Sequence, residues 1–200
     1  MDLLEPGGAS YRAALASVDV VVNAAGVEDP ALAAIAAERV AAFVDITATS
    51  AYVAALERLR PRRPVLVSVG LAPGLTNLLA AAVHEAEPGP IDIALLLGAG
   101  ERHGAATVLL AGLTWIPGGC PGRRGACTLP GTDRWLALAC AAGGTTRWAA
   151  GQGQSHATAV MTAVAARAAI GLPAAVHHLH TVLTIADVPA GRGIELATAG

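Results

Sequence analysis

The segment VLVSVGLAPGLTNLL, residues 65–79, decides the fold of this chain. An apolar run from Val65 to Val69 ends at Gly70, and a helix-like run begins at Leu75. Open α/β sheets build ligand sites from this unit, a buried strand that leads into a glycine-bearing turn and then a helix. The segment therefore predicts a parallel sheet with a binding turn at its carboxyl edge.

Two more strand–turn–helix units precede this segment. DVVVN, residues 19–23, is predicted as a buried strand, because three consecutive Val suit a parallel sheet covered on both faces, and FVDIT, residues 43–47, is predicted as a second strand. The predicted helices of this half are Ser10–Ser17, Pro30–Arg39, Ser50–Leu59 and Leu75–Glu85. Ser10 and Asp29 are expected to cap the first two helices. The alternation predicts a Rossmann-type parallel sheet with right-handed crossovers.

The pattern changes after Pro88. The elements predicted beyond it are the strands Ile91–Leu97, Arg134–Ala141 and Thr145–Ala150 and the helix Ser155–Ile170, with Ser155 as its cap. The fold class is therefore α/β. We interpret residues 1–88 as the C-terminal half of a nucleotide-binding domain and residues 89–200 as a smaller α+β region for substrate binding or dimerisation.

Composition excludes several classes of function. The net charge is −2 and no basic face is visible, so nucleic acid is not expected as a partner. All 13 basic residues are Arg, which excludes a Schiff-base lysine supplied by this chain. The uncharged run at residues 103–122 is rich in Gly and Pro and would span a membrane poorly. Three cysteines without CxxC spacing and no signal-peptide pattern favour a cytoplasmic protein without disulfides or zinc.

The turns that follow the three predicted strands are the candidate binding site. In a doubly wound sheet the carboxyl ends of neighbouring strands line one crevice, and small residues there let a ligand approach the backbone. The residues expected at this crevice are Asn23, Ala24, Ala25, Gly26, Asp45, Ile46, Thr47, Gly70, Leu71, Ala72, Pro73 and Gly74. The alternative is that they form ordinary turns, where Gly and Asn are common for conformational reasons.

These segments also resemble a known family. VDVVVNAAG (18–26), AFVDIT (42–47) and GLAPGLTNLLA (70–80), in that order and spacing, are similar to saccharopine dehydrogenase-like NAD(P)-dependent oxidoreductases. The resemblance implies a Rossmann domain followed by an α+β domain that shapes the substrate pocket and often dimerises. It also implies NADP or NAD as cofactor, a small-molecule substrate, and hydride transfer at a C–N or C–O carbon.

The resemblance also assigns parts of the cofactor to the candidate turns. Residues 23–26 would lie along its ribose and pyrophosphate, and residues 45–47 and 70–74 would lie near the nicotinamide. The family's glycine-rich fingerprint and its ribose reader, however, have no counterpart in the sequence. We therefore expect a partial chain that does not bind a dinucleotide tightly by itself, with residues 19–23 as an exposed apolar edge. The alternative function is a catalytically inactive remnant or binding module that keeps the α/β scaffold.

A second glycine pattern offers a rival phosphate loop. IDIALLLGAGERHG, residues 91–104, is a predicted strand followed by G-x-G-x-x-x-G. Its last glycine stands one place late for a dinucleotide loop, and no acidic residue follows at the distance of a ribose reader, about 20 positions. If this loop did bind a cofactor, Gly100→Val would abolish binding.

Histidines are the remaining candidates for chemistry. His103 is a candidate proton donor to an imine or carbonyl product, because its pKa is normally near neutral, and its alternative is a surface loop position. His177, His178 and His180 form an H-H-x-H group. Adjacent histidines on a regular element cannot face one metal ion, so we expect a solvated or interface cluster rather than a metal site.

Overall fold

A computed structural model describes residues 9–39, 41–47, 49–98, 100, 124–129 and 132–199. Within these residues the chain is a mixed α/β protein with one parallel sheet and a second, mainly antiparallel sheet. Two compact units are formed by Met1–Val69 with Thr162–Val182 and by Gly70–Met161 with Leu183–Gly200. This division differs from the boundary at residue 88, which stays a prediction about domain organisation.

The first unit contains the parallel sheet predicted from the valine-rich segments. Its strands in the described chain are β1 (Val20–Asn23), β2 (Ala42–Asp45), β3 (Val65–Val67) and β8 (Val176–His178), in the order β1-β2-β3-β8. All three pairings are parallel. Every residue of β2 and β3 is buried, as expected for a sheet covered on both faces. The strand β8 was not predicted.

Helices of the first unit confirm one predicted cap and correct another. They are α1 (Ala9–Ala14), α2 (Pro30–Ala36), α3 (Ser50–Glu57) and the short α6 (Leu179–Val182). Asp29 caps α2, since its Oδ1 accepts a hydrogen bond of 2.9 Å from the Ala31 N–H. The predicted cap at Ser10 is wrong, because α1 begins at Ala9 and Ser10 lies inside its first turn.

The strand β1 lies at one end of the sheet as far as the described residues show. It pairs with β2, and the side chain of Val22 is 40% exposed. This agrees with the expected exposed apolar edge. The adjacent core includes Phe43, Leu56 and Tyr52, which are buried between the sheet and its helices.

The second unit is built on the other sheet. Its elements are an irregular turn (Leu71–Leu75), α4 (Thr76–Ala86), β4 (Ile91–Gly98), β5 (Arg124–Leu129), β6 (Arg134–Ala141), β7 (Thr146–Gln152), the first part of α5 (Gln154–Ala169), a 3-10 turn (Ile185–Asp187) and β9 (Ile194–Ala199). The strand order is β5-β4-β6-β7-β9, with β4 and β5 parallel and the other pairs antiparallel. The predicted hairpin of β6 and β7 is confirmed.

The helices of the second unit were located by sequence to within a residue or two. Helix α4 packs against β6 and β7 and buries Leu78, Leu79 and Val83. Helix α5 begins at Gln154, so the predicted cap at Ser155 is wrong and Ser155 lies in the first turn. No helix in the described part of the chain combines the length and apolarity that a membrane crossing needs.

Candidate functional site

Two predicted site residues, Asn23 and Asp45, meet at the carboxyl edge of the parallel sheet. They end neighbouring strands, and the parallel register pairs them directly. The Asn23 Nδ2 donates to the Asp45 Oδ2 at 2.8 Å and to the carbonyl oxygen of Val27 at 3.0 Å. Both side chains are buried, Asp45 completely. The pair therefore joins the ends of β1 and β2 through a bond shielded from water.

Tyr52 completes this cluster, and sequence reasoning missed it. Its hydroxyl donates to the Asp45 Oδ2 at 2.8 Å from the first turn of α3. Burial, and then the charge of Asp45, raises the pKa of Tyr52 far above its usual range. The other carboxylate oxygen, Oδ1, accepts 2.7 Å from the Thr47 N–H. A buried carboxylate holding three donors positions the backbone and does not itself face a ligand.

The backbone turns beside Asp45 are more accessible to solvent than its buried side chain. Ala24, Ala25 and Gly26 are exposed, and Ile46 and Thr47 are half-buried. Gly26 has a φ of +68°, and a Cβ built there would meet nothing within 4 Å, so the turn borders open space. The Ile46 N–H donates to the Asn23 carbonyl at 3.3 Å, which ties the two turns together. These turns could offer backbone groups to a ligand.

The predicted site residues Gly70, Leu71, Ala72, Pro73 and Gly74 belong to the second unit. Gly70 and Gly74 have φ values of +149° and +131°, which glycine adopts without the steric cost paid by other residues. The Leu71 N–H donates to the Thr158 Oγ1 of α5 at 3.3 Å, and the Leu75 N–H donates to the Gly70 carbonyl at 2.9 Å. The two glycines thus allow the irregular turn at Leu71–Leu75, and the hydrogen bond to Thr158 of α5 holds this turn in place.

The rival glycine loop has a packing explanation where it is described. A Cβ at Gly98 would collide with the backbone of Thr132. The Gly100 N–H donates to the Thr132 carbonyl at 2.8 Å, and a Cβ there would also be crowded. Close approach of two backbones accounts for both glycines without a phosphate. The predicted proton donor His103 lies outside the described residues.

The H-H-x-H group lies on β8 and α6, and its three members have different surroundings. The His177 Nε2 lies 2.9 Å from the Pro173 carbonyl oxygen. The His178 Nδ1 lies 3.0 Å from the Ser68 Oγ, and its Nε2 lies 2.8 Å from the Glu57 Oε1. Burial, and then the charge of His178, lowers the pKa of His180. Within the described chain no cluster of three or more His, Cys, Asp or Glu could hold a metal ion.

Ser68 and Glu57 were not among the predicted site residues. Ser68 directly follows β3, is 6% exposed, and has a φ of +59°. It is the one residue other than glycine with a positive φ in the part of the chain that the structure describes. Its one sequence signal is its place at the end of a predicted strand. The contacts of His178 with Ser68 and with Glu57 join residues 110 and 121 positions apart in the sequence, which no local pattern reports.

Comparisons with known proteins add little to this geometry. A scan against models of protein families found no match, and a search of curated proteins found none. Among solved structures, the chain is similar to a dipicolinate-bound dihydrodipicolinate reductase from Paenisporosarcina sp. TG-14. The identity is 10% and the TM-score is 0.47, over 82% of this chain and 74% of that chain. A likeness this distant carries no argument, so the α/β assignment rests on the two sheets themselves.

Proposed function

We propose that this chain belongs to an NAD(P)-dependent oxidoreductase of the saccharopine dehydrogenase-like type. It would transfer a hydride between the nicotinamide of NADP or NAD and a C–N or C–O carbon of a small-molecule substrate in the cytoplasm. The proposal rests on the resemblance of three segments to that family. One structural observation carries it further: the buried Asn23–Asp45 pair supports two accessible turns at adjacent strand ends, where α/β sheets bind ligands.

The chain's own residues would act by holding and orienting the cofactor. The exposed turn at Ala24, Ala25 and Gly26 would receive the ribose and pyrophosphate, because it presents small residues beside open space. Asp45 would keep the Thr47 backbone in place through its 2.7 Å hydrogen bond. The cofactor, when bound, would supply the hydride.

A titration followed by amide NMR tests this function. Because the sequence lacks a glycine fingerprint, we expect binding of NADPH weaker than low micromolar, with saturable shifts confined to amides such as Gly26 and Thr47. Gly26→Asp adds a negative charge near the expected pyrophosphate, and Gly26→Asn is its uncharged match. Asn and Asp both tolerate a positive φ, and the site has room for either side chain. Gly26→Asp should therefore weaken the shifts several-fold more than Gly26→Asn.

The alternative is a catalytically inactive remnant or binding module. It is favoured by the closure of the Asn23–Asp45–Tyr52 cluster, whose carboxylate oxygens already hold three donors. This alternative predicts no saturable amide shifts with either NADPH or NADH at millimolar concentration. It also predicts that Gly26→Asp and Gly26→Asn behave alike.

We further propose that the protein forms a homodimer through its second sheet. Along β6, the buried residues Trp135, Ala137 and Ala139 alternate with Leu136 and Leu138, which are only half-buried. Half-buried apolar side chains on one sheet face are suited to an interface with a second copy. Sedimentation velocity should show a dimer that Leu138→Asp converts to a monomer, while Glu85→Gln, at an exposed position of helix α4 outside the sheet, leaves the dimer intact.

A further inference from the structure

Three side chains from separate elements of the first unit form a continuous chain of hydrogen bonds. The Ser68 Oγ, just after β3, lies 3.0 Å from the His178 Nδ1 at the end of β8. The His178 Nε2 lies 2.8 Å from the Glu57 Oε1 at the end of α3. The strands β3 and β8 are adjacent, with Val67 opposite His178, so the sheet itself fixes the Ser68–His178 contact.

The carboxylate determines which nitrogen of His178 carries the proton. An ionised Glu57 can only accept a hydrogen bond, so the Nε2 at 2.8 Å must be the protonated nitrogen. In the neutral ring the Nδ1 is then an acceptor, and the Ser68 hydroxyl donates to it. A hydroxyl that donates to a histidine oriented by a carboxylate is the arrangement that activates a serine nucleophile. The two ring nitrogens have exchanged roles relative to the chymotrypsin triad, in which Nε2 faces the serine and Nδ1 faces the carboxylate.

The backbone at Ser68 supports the same chemistry. A φ of +59° is unfavourable for a non-glycine residue and persists where the surrounding structure enforces it. Nucleophilic serines of α/β hydrolases occupy such a strained turn between a strand and a helix, and the next N–H helps to bind the oxyanion. Ser68 directly follows β3, and the N–H of the next residue, Val69, would take the corresponding role.

Exposure decreases along the chain of hydrogen bonds toward Ser68. The side chains of Glu57 and His178 are 47% and 27% exposed, whereas Ser68 is 6% exposed. The histidine can therefore exchange protons with water. The space beside the Ser68 hydroxyl admits only a small group. The His180 ring lies 5.7 Å from the His178 ring, centre to centre. Burial, and then the charge of His178, lowers the pKa of His180. His180 therefore favours the neutral form when His178 takes up a proton.

We propose that Ser68, His178 and Glu57 form a serine-nucleophile site that hydrolyses short-chain esters. The Ser68 oxygen bonds to the ester carbonyl carbon while its proton moves to the His178 Nδ1, and the carbonyl electron pair moves onto oxygen. When the adduct collapses, the bond to the alcohol oxygen breaks and that oxygen takes the proton from Nδ1. Water then attacks the acyl-serine, gives a proton to Nδ1, and releases the acid as the proton returns to Ser68.

Labelling with a fluorophosphonate probe, followed by peptide mass spectrometry, tests this site without any cofactor. The wild-type chain should be modified at Ser68, and Ser68→Ala should not be modified in that peptide. His178→Gln should slow labelling about 100-fold or more, the usual contribution of a general base. His177→Gln is the matched control, because that neighbouring ring lies against the Pro173 carbonyl and outside the triad. It should label at the wild-type rate.

A second variant and a second substrate keep the test decisive. Ser68→Gly removes the hydroxyl but tolerates the positive φ, so it should fold, as checked by circular dichroism, and still lose labelling. The wild-type chain should hydrolyse p-nitrophenyl acetate faster than p-nitrophenyl octanoate, and Ser68→Gly should lower the acetate rate to that of the uncatalysed reaction. An unlabelled wild-type Ser68, or equal labelling rates in His178→Gln and His177→Gln, would show that the three residues only tie β3, β8 and α3 together and would overturn the proposal.

Discussion

Asp45 and His178 each end a strand of the same parallel sheet, and each joins side chains from two other elements. Asp45 is fully buried and holds Asn23 and Tyr52, whereas His178 is half-buried and lies between Ser68 and Glu57. The first cluster is built around an acceptor shielded from water. The second is built around a ring that can take up and release a proton. Similar connectivity at two strand ends thus has different chemical consequences.

The difference predicts which measurement will respond to each cluster. A buried donor that loses its acceptor is left without a hydrogen bond and without water, so changes around Asp45 should lower the free energy of unfolding. An exposed ion pair contributes little to stability, so changes around Glu57 should alter reactivity instead. If changes in the two clusters had equal effects on stability, burial would not be what separates them.

The largest effect is expected for Asp45→Ala. The change leaves the Tyr52 hydroxyl and the Thr47 N–H without their acceptor, which should cost about 3 kcal/mol at about 1–3 kcal/mol for each unsatisfied group. Because the chain has two compact units, native-state hydrogen exchange at the β2 amides measures the relevant unit directly. Asp19→Ala, at an exposed position before β1, should change those exchange rates little.

A smaller loss, about 1 kcal/mol, is expected for Tyr52→Phe. This change removes one donor to Asp45 but leaves those from Asn23 and Thr47 in place. Exchange at the same β2 amides measures it. Since the folded pKa of Tyr52 is raised above its usual 10.0, the hydroxyl contributes stability below that pH, and the contribution is lost as pH rises through the folded pKa. A loss as large as that of Asp45→Ala would contradict the central role given to the carboxylate.

Glu57→Gln should change stability least among the two clusters, by about 0.5 kcal/mol or less. Its side chain is 47% exposed, so water screens its interaction with His178. Labelling of Ser68 should nevertheless slow, because glutamine no longer provides the charge that stabilises a protonated ring. Glu38→Gln is the matched control, since Glu38 makes another exposed ion pair, 3.3 Å from Arg12. It should show the same small change in stability and no change in labelling.

Sequence reasoning located the parts of the fold that depend on local pattern. The apolar runs of β1, β2 and β3 and the Asp29–Pro30 start of α2 carry their signal within a few residues. The strand β8 was missed because Val176–His178 is short and polar, and its only described partner is β3, far earlier in the chain. The caps at Ser10 and Ser155 were wrong because both helices begin one residue earlier.

Some residues of the candidate site could likewise be predicted from local sequence pattern, and others could not. Asn23 and Asp45 were expected because they lie at the carboxyl ends of predicted strands, and the parallel register brings them together. Their burial could not be predicted from local pattern, because it depends on the hydrogen bond between Tyr52 of α3 and Asp45. The Ser68–His178–Glu57 chain depends on which remote strand lies beside β3, and residue pattern does not encode that choice. The turn at 70–74, predicted together with the other two turns, lies in the second unit.

Glu87 is a third carboxylate that accepts hydrogen bonds from other segments, and it is open to solvent. In the second unit it accepts hydrogen bonds from the Gly143 N–H at 2.5 Å and the Thr145 N–H at 3.1 Å, in the turn between β6 and β7. Hydrogen bonds from Thr145, and then from Gly143, lower the pKa of Glu87. A lowered folded pKa means that the stabilisation is present above the usual value of 4.5 and is lost as pH falls through the folded pKa.

Glu87→Gln should therefore speed hydrogen exchange at the hairpin amides of β6 and β7 at neutral pH, by less than any change at Asp45 does in β2. The difference from the wild type should shrink well below pH 4.5, because protonated Glu87 and glutamine are both neutral. Glu85→Gln, at an exposed position of helix α4 just before Glu87, should leave the hairpin unchanged at either pH. A pH-independent difference would mean that the Glu87 side chain acts by packing rather than by charge, and burial alone would then not rank the three carboxylates.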